Sequence, residues 1–258
     1  GVDATSSGLA GLPRMPVVSG GYVHPSSRKA LQMLGHGKDT VEVFVRDEIG
    51  RIDLAAVRRR LGELDGAPAV LIATAGEPNA GDFDPLADLA DLAEEFGAWL
   101  HVDAAFGLFA ALSPRTAHLT AGIERADSWA TDAHKWLNVP YDSGLVFVRD
   151  AAAHRAATGV AAAYLPPAPG AERDPFDYVP ELSRRARGFA IYAALRSLGR
   201  DGLAEMVERD CRVARHMADA LAAIPGADVL NEVVLNQVMV RFDDDDAITR
   251  DVGARVQE

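Results

Sequence analysis

The stretch "DPLADLADLAEEFGAWLHVDAAFG", residues 84–107, decides the fold. Asp84 and Pro85 read as an N-cap and first-turn pair, and Leu86, Leu89, Ala90, Ala93 and Phe96 recur at helical spacing. Gly97 stops that helix, and "AWLHVDAAF" follows as an apolar run of the kind that forms a buried parallel strand, ending near Asp103. A helix feeding directly into such a strand is the repeating unit of an α/β sheet.

The same alternation continues outward. "MPVVSG" (15–20), "TVEVFVRD" (40–47) and "AVLIATAG" (69–76) read as strands, separated by the helical patterns "SSRKALQMLGHG" (26–37) and "IDLAAVRRRLGEL" (52–64). On the other side, "ADSWATDAH" (126–134) and "SGLVFVRD" (143–150) flank the motif "DAHKWLNVPYDSG" (132–144), so Lys135 is expected between two core strands. The segment 151–181, rich in Ala, Pro and turn formers, reads as a long irregular functional loop. A helix over 182–199 ends at Gly199, a second over 202–224 ends before Pro225, and "LNQVMVRF" (235–242) reads as a strand. The expected architecture is α/β. A large domain over 1–199 carries a mainly parallel sheet with flanking helices, and the start of a smaller C-terminal α+β domain occupies 200–258.

A chain of 258 residues, 48% hydrophobic, can fill a core of that size. Its 38 acidic against 26 basic side chains, a formal charge of -12, repel a nucleic-acid backbone or an anionic membrane surface, so neither is an expected partner. The single cysteine, Cys211, excludes an intrachain disulfide and a cysteine zinc cluster and fits a reducing cytoplasm. No apolar run approaches the roughly 18 residues of a membrane span, and the N-terminal stretch lacks the basic-then-apolar order of a signal peptide. The run Asp243 to Asp246 reads as a solvated turn, and no metal site is expected.

Ligands of open α/β sheets bind beyond the carboxyl ends of the strands. Thr74, Asp103, and the pair His134 and Lys135 fall there, at the ends of three strands. A lone lysine in a loop is usually a solvated charge, and an aspartate after a strand is usually a turn former. Together they are what imine chemistry on an electron-withdrawing ring requires: an amine nucleophile, and a carboxylate to stabilise a protonated ring nitrogen.

"HVDAAFG" (101–107), followed by "ADSWATDAHKWLNVPYDSGLVFVRD" (126–150), resembles the group II pyridoxal-phosphate-dependent amino-acid decarboxylase family, of the aspartate-aminotransferase fold (fold type I). Asp103 and Lys135 lie 32 residues apart, and the likeness extends over about residues 17–242. The resemblance implies pyridoxal 5'-phosphate as cofactor and a carboxy-lyase activity that converts an L-amino acid to its amine and carbon dioxide, with a mild preference for an aromatic or apolar substrate. It implies that Lys135 is the Schiff-base lysine and that Asp103 is the partner of the pyridine nitrogen. His24 would stack on the cofactor ring and restrict the substrate, with Ala105 on the opposite face. Thr74 would lie beside the cofactor, and His134 near its phosphate. Each also has a plainer role: His24 ahead of a helix, Ala105 in the core, Thr74 satisfying a strand-end amide. Relatives are homodimers, and the same is implied here, with the amino acid as the small-molecule partner.

Two features depart from the family pattern. The Cα proton donor is expected to be a loop tyrosine upstream of "RR", where spacing places Pro175 or Phe176; Tyr178 lies about three residues off, and Tyr164 is a weaker candidate. The family pattern also includes an N-terminal segment whose Gly/Ser-rich turn before a helix cradles the cofactor phosphate; this chain is expected to lack that segment, with "DATSSGLAG" (3–11) a poor remnant of it, and to stop before the smaller domain is complete. A decarboxylase–oxidase that forms an aldehyde, or an aminotransferase, is the alternative with the same cofactor. A catalytically inactive remnant or partner subunit is the alternative of another class.

Overall fold

Apolar runs with helices between them become strands stacked side by side, because each run can bury both faces only inside a sheet. The computed structural model describes residues 4–160 and 173–258. After a single turn of helix, α1 (Ala4–Ser7), come β1 (Val17–Ser19), α2 (Pro25–Met33), β2 (Val41–Val43), α3 (Leu54–Gly62), β3 (Val70–Thr74), α4 (Leu86–Phe96) and β4 (Trp99–Asp103). Three short 3-10 turns lead to β5 (Ser128–Asp132), then β6 (Gly144–Val148) and α5 (Ala151–Thr158). The chain ends with α6 (Gly188–Ala222), β7 (Ala227–Val229), β8 (Val240–Phe242) and α7 (Asp246–Val256).

The main sheet has the order β2-β1-β3-β4-β5-β6, parallel from β2 to β5, with β6 antiparallel at the edge. This is the expected mainly parallel α/β sheet. Lys135 does lie between two strands, but β6 is not a core strand, since Val146 is 50% and Phe147 44% exposed. One sheet face packs Leu71, Ala73, Leu100 and Val102 against Val57 and Leu61 of α3 and Leu86, Leu89 and Ala93 of α4. The other face, with Val17, Val41 and Ile72, meets Leu31 of α2.

Local chemistry explains the boundaries. Gly97 ends α4 in the left-handed region, φ 66°, which a side chain resists. Gly107 is fixed by crowding: its N–H donates to the Ala75 carbonyl at 3.0 Å, and a Cβ would collide with that same oxygen. Two expectations need correction. Asp84 does not cap α4; its carboxylate turns back to accept the Thr74 N–H at 2.8 Å, because that buried strand-end amide has greater need of a partner. Residues 151–158 are helical, since Asp150 caps the amides of Ala152 and Ala153 and the alanine-rich run has high helix propensity.

At Gly199 the dihedrals are φ 63°, ψ -177°, so the two helices expected from sequence meet there in one long element. Beyond it, β7 and β8 form a separate two-stranded antiparallel sheet. Asp243 and Asp244, with positive φ, turn the chain from β8 into α7, and Asp245 caps α7.

Candidate active site

Strand alternation decides which side chains can meet. Thr74 pairs in register with Asp103, and Asp103 with Ala130, so Thr74, Asp103 and Asp132 project from the same sheet face at the carboxyl ends of three strands. That face looks toward α2, whose Ser27 hydroxyl donates to Asp103 Oδ2 at 3.4 Å. The other carboxylate oxygen, Oδ1, accepts the Ala105 N–H at 3.2 Å. Ala105 in turn accepts the Asp132 N–H at 3.0 Å, which ties the end of β4 to the end of β5.

Lys135 stands in the turn after β5. Its Nζ lies 3.1 Å from Asp132 Oδ2, and His134 Nε2 lies 3.7 Å from the same oxygen. His134 Nδ1 is 3.0 Å from both the N and O of Ser143, and its ring packs on Tyr141 at 4.1 Å. The residues around Lys135 hold the turn down. Ala133, Trp136, Leu137 and Val139 are buried in a second core with Leu203 and Val207 of α6. Trp136 also stacks on Phe106 at 4.9 Å and donates its indole N–H to Asp210 at 2.9 Å.

His24 caps α2 and is engaged with Ser26, its Nδ1 accepting the Ser26 N–H at 3.2 Å and lying 2.7 Å from the Ser26 hydroxyl. Thr74 Oγ1 donates to the Tyr22 carbonyl at 3.3 Å, two residues before His24. The structure thus links His24, Thr74, Asp103 and Ala105 through direct contacts and short chain segments, and groups His134 and Lys135 around Asp132. Tyr178 lies elsewhere. It ends a 3-10 turn over Pro175–Tyr178, packs edge-on to His154 of α5 at 5.3 Å, and has the Arg173 guanidinium over its ring at 3.7 Å. Tyr164 lies outside the described residues.

Several side chains that contact these residues carry little or no signal in the sequence. Asp132 stands three residues before Lys135, and Ser27 stands in the first turn of α2; the turn spacing could have pointed to the first, but nothing local points to the second. Tyr22, Asp82 and Arg51 brace the loop before His24: the phenol and the Arg51 Nε both donate to Asp82 Oδ2 at 2.8 Å. Burial, with Asp82 beside it, pushes the Tyr22 phenol well above its ordinary range. Burial also works against the Asp82 carboxylate, yet the hydrogen bonds from Arg51 and Tyr22 outweigh it and hold its pKa down. Asp142 is gripped by Arg187 at 2.8 Å and Arg185 at 3.1 Å, and the Arg187 hydrogen bonds lower its pKa to about 2. Asp84 shows the reverse: burial raises its carboxyl to about 7.

The donor set suits a ligand with an aldehyde and a basic ring. It offers one primary amine, a carboxylate on the neighbouring strand of the same face, and the buried Ser143 hydroxyl, which has no partner among the described residues. Fold and site together define an α/β protein with a lysine-centred site at the strand ends. The chain belongs to the pyridoxal-dependent decarboxylase family, whose conserved domain it matches over residues 7–243. It is 32% identical over 242 residues to the acidic amino acid decarboxylase of Bos taurus, covering 89% of this chain and 46% of that protein. To the L-2,4-diaminobutyrate decarboxylase of Rhizobium meliloti it is 31% identical over 248 residues, 94% of this chain and 48% of the other. The crystal structure of Oryza sativa TDC with PLP and tryptamine superposes with a TM-score of 0.84 at 27% identity, over 93% of this chain and 50% of that one. The chain therefore spans about half the length of the relatives it matches.

Proposed function

We propose that this chain takes part in the pyridoxal-phosphate-dependent decarboxylation of an L-amino acid to its amine and carbon dioxide. One observation carries the reading: Lys135 is held by Asp132, which shares a sheet face with Asp103 at the strand ends. When bound, the cofactor supplies an aldehyde that condenses with amines and a ring that accepts electrons. Lys135 provides the amine that holds it. Asp103 keeps a proton on the ring nitrogen, and Ser27 and the Ala105 amide orient the carboxylate for that task. His24 and Ala105 would hold the cofactor ring between them, Thr74 fixes the approach of the His24 loop through the Tyr22 carbonyl, and His134 would help to hold the phosphate. Tyr178, packed on His154 of α5, would have to leave that contact to serve as the Cα proton donor.

The relatives named above act on acidic amino acids and on diaminobutyrate, and the Oryza protein was crystallised with tryptamine, so the fold accommodates different substrate side chains. A homodimer is supported by Phe189, 80% exposed, and Tyr192, 65% exposed, which stand three residues apart on α6. A cytoplasmic setting fits the lone free Cys211, and no helix among the described residues is long and apolar enough to cross a membrane. The division proposed is a large domain over 1–199 and a smaller one over 200–258; α6 runs through that boundary, and its Leu203 and Val207 pack into the same core as the Lys135 turn.

Absorbance between about 300 and 500 nm, then borohydride reduction and peptide mapping, tests the proposal. A band that reduction converts to an adduct on the Lys135 peptide is expected. A colourless protein left unmodified by added cofactor would overturn it in favour of an inactive partner subunit.

A further inference from the structure

The α2 face carries a second polar group that the chemistry above does not use. Alternation places Trp99, His101 and Asp103 in one column along β4, with Ser128 of β5 in register beside His101. Ser128 Oγ accepts the Trp99 indole N–H at 2.9 Å and lies 2.9 Å from His101 Nδ1. The direction of this chain is fixed by its first member, since an indole nitrogen can only donate. A serine hydroxyl has one proton to give, and among the described residues its acceptor is His101 Nδ1. Were Nδ1 protonated, the Ser128 oxygen could accept both N–H groups with its two lone pairs, but the serine proton would have no acceptor among the described residues.

We infer that Trp99, Ser128 and His101 form a one-way hydrogen-bond relay that holds His101 neutral, with its ring proton on Nε2, so that the Asp103 carboxylate is not neutralised from within the sheet. The inference rests on the reading of Asp103 as the partner of the cofactor ring nitrogen. A histidinium two residues below Asp103 would share that carboxylate's charge and weaken its hold on the ring proton. Burial acts in the same sense as the relay, lowering the His101 pKa against the pull of Asp103. The register neighbours of His101, Ile72 and Ser128, carry no charge, and Asp103 is the ionisable group whose field bears on the ring. His101 is thus a positioning residue that acts through Asp103.

The experiment is nitrogen and carbon NMR of the chain labelled at histidine, with the His101 signal assigned by its loss in His101→Gln. The expected wild-type signal is that of an Nε2–H tautomer, unchanged between pH 8 and about pH 6. In Ser128→Ala it should move toward the protonated ring within that range. Trp99→Phe, which leaves Ser128 free to turn its proton elsewhere, should give a mixture of tautomers and serves if the first variant fails to fold. A second arm measures pyridoxal phosphate affinity, which should fall about tenfold more from pH 8 to pH 6 in Ser128→Ala than in the wild type. An Nδ1–H tautomer or a protonated ring in the wild type, or identical pH dependence in wild type and variant, would overturn the relay. Failure of the wild type to form the Lys135 adduct would instead overturn the functional proposal, leaving the tautomer result standing.

Discussion

Two segments bear candidate site residues, and they are fastened in opposite ways. The Lys135 turn is anchored by Ala133, Trp136, Leu137 and Val139, all buried against α6. The Tyr178 segment is held chiefly by polar contacts: Asp177 to Arg155 at 2.8 Å, the Thr158 hydroxyl to the Asp177 carbonyl at 2.6 Å, and Arg173 over the Tyr178 ring. Its support, α5, has no buried residue. Apolar anchoring rests on many contacts that are lost only together, whereas the Tyr178 segment hangs on a few polar contacts, in which Asp177 is buried but its partner Arg155 is exposed and open to screening by salt. The contrast fits the roles proposed for the two residues, a lysine fixed at the strand ends and a tyrosine whose segment would have to move to reach it.

The strongest challenge to this contrast is Lys135→Ala, which should abolish turnover and the reducible adduct; retained activity, read by amine release, would remove the site altogether. Trp136→Ala should cost about 3–5 kcal/mol of stability by denaturant unfolding, as expected for an aromatic lost from a core. A loss as small as that of a surface residue would show the turn is not anchored as described. Asp103→Asn should lower kcat/KM by about 3 kcal/mol, roughly 100-fold, while cofactor still binds.

Asp84 sharpens the picture through pH. Its folded-state pKa of about 7 lies above the ordinary 3.8, so its favourable contribution is full below the unfolded value and is lost as pH rises through about 7. The melting temperature of Asp84→Asn should therefore fall less than that of the wild type between pH 4 and pH 7.5; parallel curves would place the burial penalty elsewhere. The smallest expected effect is on stability in Tyr178→Phe, within about 0.5 kcal/mol. Product analysis then decides the role of Tyr178, since a donor's loss lowers amine formation and a packing residue's loss does not.

The strand ends were legible because a buried parallel strand shows itself as an apolar run, and the polar residue closing it stands out. Thr74, Asp103 and Lys135 were found in this way. Asp84 was misread because Asp-Pro before a helical pattern is a good cap signature, and the competing demand of the Thr74 amide arises only once β3 is folded beside it. Ser27 and Ser128 were invisible for a related reason: their partners lie 76 and 27 or 29 residues away. The placement of Tyr178 depends on Asp177 and Arg155, an ion pair that no local pattern announces.

All three tryptophans of the chain, Trp99, Trp129 and Trp136, lie on β4, on β5 or in the turn that carries Lys135. Trp136 is buried one residue from that lysine. The tryptophan emission of this chain therefore arises from the strands and the turn that build the site. An absorbing group seated at Lys135 would quench that emission by energy transfer, so the chain carries its own optical gauge of how fully the site is filled.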